Sequence, residues 1–182
     1  DTISNSWNSI FDTLEDWTNA IGNGIVDFAG DAADFVATAI NDFGASVNAV
    51  TDALWNSDLV TNARDLANTL WNNTTASVSN IAHALKSQLG FATDTIADAL
   101  SYGANLSINS IADALWDSAF VAGSRELADI LWQYTSASVE NIAHAFKSQL
   151  GFAADTIADA LRYGANVSVD AINDALDSVG DF

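Results

Sequence analysis

The residues able to do chemistry in this chain are few, and they recur. Its two histidines, His83 and His144, hold the same position in two copies of a 61-residue repeat. An imidazole pair related by internal duplication could hold a haem or a metal ion between two units. Glu140 and His144 lie four apart, on one helical face. A carboxylate-bridged di-metal centre, however, needs Glu-x-x-His twice and further glutamates, and Ser79 stands where Glu140 would be in the other copy. Each histidine also falls about 140° round a helix from Val78 or Val139, off the apolar stripe. The expectation is a pair of rim histidines, with no metal and no cofactor.

Hydrolytic chemistry has no better footing. Serines, aspartates and histidines are present, but no strand–turn–helix nucleophile elbow carries them. Asp94 and Asp98, like Asp155 and Asp159, are four apart on a polar face; raising a carboxylate for acid–base work needs burial, which this spacing does not provide. Gly22-Asn23-Gly24 lacks the Lys-Ser or Lys-Thr of a phosphate loop. No EF-hand pattern occurs, and Asp174, Asp177 and Asp181 read as screened surface charge. No catalytic residue is assigned, and the chain is expected not to be an enzyme.

Aromatic residues carry the richest signal. Trp55 matches Trp116, Trp71 matches Trp132, Phe91 matches Phe152 and Tyr102 matches Tyr163, each at the 61-residue interval. Phe91 and Tyr102 fall away from the heptad stripe described below, so a second apolar side is expected. It would be covered by a neighbouring unit, an apolar ligand or another molecule. The same interval relates Arg64 to Arg125 and Lys86 to Lys147; each is expected to bridge carboxylates on adjacent helices. Asn72, Asn73, Asn105 and Asn166 head N-x-S/T sequons. Asn105 and Asn166 are equivalent and fall between helices, which makes them the candidate glycosylation sites.

These residues must be positioned by helices. The chain of 182 residues has no proline, whose ring would break helix interiors. Residues 55–115 and 116–176 are identical at 40 of 61 positions, and Ala76–Asn105 matches Ala137–Asn166 at 26 of 30. A diverged copy, Asp34 to Trp55, resembles Asp94 to Trp116. The units are therefore 1–54, 55–115 and 116–182, within one domain spanning 1–182. Val78, Ala82, Leu85, Leu89, Ala92, Ile96, Ala99 and Gly103 form a heptad stripe. Val139 to Gly164 repeats it, and Gly22 to Phe43 keeps it. The stripe predicts one long helix of about 26 residues, about 39 Å, kinked at Gly90 or Gly151 and ended by a left-handed Gly103. Ser107 should cap a short helix carrying Ile108, Ile111, Ala112 and Leu115, and another should start near Ser124. The fold class is all-α, with tandem helical repeats packed as one bundle or short solenoid.

Composition bounds the setting. With 24 acidic and 5 basic side chains the net charge is −19, which repels nucleic acid and anionic membranes. No apolar run is long enough to span a bilayer. Cysteine and methionine are both absent, and Asp1 reads as a processed end, a removed signal peptide being the common cause. The expectation is a secreted, extracellular, non-enzymatic structural protein that self-associates into a coat, fibre or matrix. The alternative is a carrier that encloses a lipid or pigment between amphipathic helices, with Phe91, Tyr102, Phe152, Tyr163, Trp55, Trp71, Trp116 and Trp132 as the apolar contact or ligand face.

Overall fold

A computed structural model of the chain describes residues 32–43, 45–57 and 59–180. Within them the chain is all-helical. The α-helices are α1 (Ala32–Phe43), α2 (Val47–Asn56), α3 (Ala63–Asn73), α4 (Val78–Leu89), α5 (Thr93–Asp98), α6 (Ile108–Asp117), α7 (Ser124–Tyr134), α8 (Val139–Ser148), α9 (Ala154–Tyr163) and α10 (Val169–Val179). A π-helical segment, Ala99–Gly103, continues α5. The Gly22 to Ala29 part of the first stripe, Gly22-Asn23-Gly24 and Asp181 lie outside the described residues.

The even helices share one local code. Ser-Val/Ile-x-x-Ile/Val-x-x-Ala-Leu/Phe begins at Ser46, Ser77, Ser107, Ser138 and Ser168, so the motif recurs twice in every period of the repeat. Each serine is an N-cap in extended backbone whose hydroxyl accepts from the amide three residues on, satisfying one of the donors every helix start leaves orphaned. At Ser138 the backbone amide also donates to Asn141 Oδ1, closing a capping box. The apolar positions of the motif then point inward: Val50 and Leu54, Ile81 and Leu85, Ile111 and Leu115, Ile142 and Phe146 are all fully buried.

The long helix expected from Val78 to Gly103 does not form. Gly90 and Gly151 take left-handed φ of 67° and 66°, a conformation open to glycine at little cost, and the chain turns there. In α4 the amide of Gly90 closes the last turn on Lys86. Helices α4 and α5 are thus separate, as are α8 and α9. The left-handed end at Gly103 is also displaced: Asn105 and Asn166 hold the positive φ, 52° and 55°, which asparagine tolerates. Gly103 is required for another reason. A Cβ there would lie inside the backbone of Arg64, and one at Gly164 inside that of Arg125.

Packing follows from the alternation. Each even helix rests on the even helix before it, α2 on through α10, while α1, α3, α5 with its π segment, α7 and α9 stack in a second row. Among the described residues the result is five helical hairpins in two layers, with the core between them. Alanine at the motif's inner positions (Ala82, Ala84, Ala112, Ala114, Ala143, Ala145) is buried, and small side chains let neighbouring helices approach closely. The hairpin, half of the sequence period, is the packing unit.

Candidate functional site

In the odd row, the repeated cations build a clasp. Arg64, in the first turn of α3, donates to both Asp98 carboxylate oxygens, Nε and Nη2 each at 2.6 Å, and its guanidinium lies 4.9 Å from the Tyr102 ring centre. Arg125 on α7 repeats both contacts, 2.6 Å to Asp159 and 5.1 Å to Tyr163. Planar two-point pairing is what guanidinium offers carboxylate. The hydrogen bond to Asp98 raises Arg64 above its ordinary value, the bond to Asp159 does the same for Arg125, and Arg125 in turn holds Asp159 below the usual carboxylate range. The bridging expected of the arginines is therefore present, one carboxylate each. Lys86 departs from expectation: its Nζ lies 3.3 Å from Thr93 Oγ1 and 5.2 Å from the Phe120 ring centre. Lys147 Nζ donates to the Gly180 carbonyl at 3.1 Å.

The aromatic residues separate into two sets. Trp55 meets Phe91 edge-on at 5.1 Å, and Trp116 meets Phe152 at 4.9 Å. These four are half-buried and fill space against one another, and Phe91 and Phe152 sit just beyond a helix rather than on its back. Trp71, Trp132, Tyr102 and Tyr163 are exposed, as is Tyr134, and all five belong to the odd row. The structure therefore does not gather the eight residues into one lining.

On the even row lie two grooves at equivalent places in successive periods. One, of about 280 Å³, opens between the first turns of α2 and α4 and is lined by Ser46, Val47, Asn48, Asn80 and His83. The other, of about 520 Å³, lies between α6 and α8 and is lined by Leu106, Ser107, Ile108, Asn109, Ser136, Asn141 and His144. Both histidines are exposed. His83 stacks towards Phe120 at 6.3 Å, and His144 Nδ1 is 3.2 Å from Ser148 Oγ. Ser138 hydrogen bonding holds the neighbouring Glu140 below its ordinary range.

The paired acids do not act together: Asp94 accepts from the Thr95 amide at 2.6 Å while Asp98 takes Arg64. Among the described residues no three of His, Asp and Glu converge on a metal position. Asn105 and Asn166 are exposed in their inter-helix turns, and the left-handed backbone accounts for asparagine at both. Missed in the sequence was a row at the seventh motif position: Asp52, His83, Asp113, His144 and Asp174, one from each even helix. The half-period of the serine motif was the signal that would have found it.

No family model, no curated protein and no solved structure matches this chain. Among the described residues, no helix is long and apolar enough to cross a membrane.

Proposed function

We propose that the chain is a secreted, acidic, non-enzymatic structural protein of an extracellular coat, fibre or matrix, built as three tandem units (1–54, 55–115 and 116–182) in one domain and working by association between copies. The observation that carries this reading is the division of charge and apolar surface. Arg64 and Arg125 each engage one carboxylate within the chain, and the net charge of −19 keeps copies apart at low salt. Trp71, Trp132 and Tyr134 stay exposed on the odd row as the apolar contact surface once that repulsion is screened. The carrier alternative draws no support from the aromatic residues, since Trp55 and Phe91, and Trp116 and Phe152, occupy each other's space.

The test is sedimentation across salt and pH, with circular dichroism alongside. The Debye length shrinks from about 30 Å at 0.01 M salt to about 8 Å at 0.15 M. Mass should rise with salt, with divalent cations, and as the pH approaches the sequence pI of about 4.1, while helix content persists. A protein monomeric throughout, or associating only after its helices melt, would remove the proposal.

A further inference from the structure

We propose that Asn105 and Asn166 are acceptors for an N-linked oligosaccharide, transferred to the side-chain amide from a lipid-linked donor. The proposal rests on the secretory part of the reading above and on nothing in it about association between copies.

Four asparagines head an N-x-S/T sequon, and their settings divide them. Asn72 and Asn73 close helix α3. Asn72 Nδ2 donates to Asn68 Oδ1 at 2.7 Å, and Asn73 Nδ2 donates to the Thr69 carbonyl at 2.9 Å. Asn105 and Asn166 stand in turns, each between the end of an odd-row helix and the next even helix. Both are exposed, and among the described residues neither side-chain amide is hydrogen-bonded. The residue after each is tied down instead. Leu106 packs against the core and Val167 lies within it, and their amides donate to the Leu100 and Leu161 carbonyls at 3.1 and 3.0 Å. The turn is thus held by its middle residue, with the asparagine free on the solvent side to carry a bulky group.

The backbone admits asparagine at these turns but does not require it. Glycine takes the same left-handed φ at Gly90 and Gly151 and does so at less cost. In the diverged first unit Gly44 stands at the position of Asn105 and Asn166. The serine two residues on is present in every even helix for its cap. Of those five serines, only Ser107 and Ser168 follow an asparagine at that distance; Gly44, Thr75 and Ser136 precede the others. In the transfer, the asparagine side-chain nitrogen attacks C1 of the donor's first sugar. The bond from C1 to the lipid diphosphate oxygen breaks, and the diphosphate leaves with the electron pair. The amide gives one proton to a base of the transferase, so a C1–N bond replaces one N–H and nothing is oxidised or reduced.

The test is secretion of the full chain from eukaryotic cells behind an added, cleavable leader. Peptide N-glycosidase in heavy-oxygen water turns each glycosylated asparagine into a labelled aspartate, which peptide mass spectra locate. Asn105 and Asn166 should both carry the label. Asn105→Gly and Asn166→Gly should each remove one glycan from the intact mass and leave the circular dichroism unchanged, since glycine holds such a turn. The glycosylated chain should melt within about 2 °C of the bare chain made in bacteria, as expected for a change confined to the surface. Label missing from Asn105 or Asn166, or a glycosylated chain that has lost its helices, would overturn the proposal. Because the leader forces entry into the secretory route, bare asparagines would sink this proposal alone. A glycosylated chain that stays monomeric at every salt concentration would sink the assembly reading and uphold this one.

Discussion

The hairpins α5–α6 and α9–α10 occupy equivalent places in the 61-residue repeat but not the same setting. Helix α6 lies inside the stack, covered by α8; no described helix covers the outer side of α10. The differences between the two copies follow that contrast. Ala112 is fully buried, and its equivalent Asn173 is exposed. Ser101 is buried and its equivalent Arg162 is exposed, its guanidinium donating to the Val167 carbonyl at 3.2 Å. Val139, on the covered α8, is 9% exposed, whereas Val169 on α10 is 53% exposed. At this register the covered helices bury Thr51, Ala82, Ala112 and Ala143, whereas α10 exposes Asn173. Among the described residues, the outer side of α10 thus exposes Asn173 beside Val169.

Exchanging the two settings should give the largest effect. Ala112→Asn forces an amide with no partner into a packed interface, combining overpacking with desolvation, and should cost about 2–5 kcal/mol. Asn173→Ala should be neutral or slightly stabilising, within about 0.5 kcal/mol. Urea unfolding of both variants measures this; similar costs at the two positions would break the comparison.

The clasp sharpens the comparison by being the same in both regions. Gly103→Ala and Gly164→Ala each push a methyl into arginine backbone, and each should cost about 1–3 kcal/mol. Gly90→Ala meets open space and suffers only its left-handed φ, about 1 kcal/mol. If Gly164→Ala proved harmless while Gly103→Ala did not, the two hairpins would not share their packing.

A smaller contrast separates the two valines. Val139→Ser loses a nearly complete burial and should cost about 1.5 kcal/mol or more, against about 0.5 kcal/mol or less for Val169→Ser. Equal shifts in the unfolding midpoint would mean that the outer face of α10 is covered in solution.

The smallest effect belongs to the exposed ion pairs. Asp159 is held low in the folded state by Arg125, so its contribution is complete above the unfolded carboxylate value, near 3.9, and is lost as pH falls through the lower folded value. Asp159→Asn should lower the melting temperature slightly at pH 7 and low salt, and not at all at high salt. A melting temperature insensitive to the substitution at every salt concentration would show that Gly164 and Tyr163 position the helices without the pair.

The all-helical class was legible because proline is absent and apolar residues recur at helical spacing. The serine cap expected at Ser107 forms; the equivalent caps at Ser46, Ser77, Ser138 and Ser168 were not among the expectations, although the same motif carries them. The misreading at Gly90 has a definite cause. A glycine inside a helix costs only about 1 kcal/mol relative to alanine, so an apolar stripe that keeps phase through it is compatible with a continuous helix. Leu89, Ala92 and Ile96 keep that phase although Ala92 lies outside both helices as the N-cap of α5. Both helices bury residues in the same core, and the linking residues Gly90, Phe91 and Ala92 preserve the spacing.

By itself, then, the sequence determined the helical class, the caps, the internal duplication and the lopsided charge, because these depend on composition and on neighbours within one turn of helix. Tertiary structure alone decided where the chain reverses, since the small cost of a left-handed glycine is outweighed by packing α5 into the opposite layer. It decided that Gly103 must be glycine, because the obstruction is the backbone of Arg64, on a helix two elements earlier in the same row. And it decided which copies of one motif meet protein and which meet water: identical positions differ in burial only through the presence of a neighbouring helix.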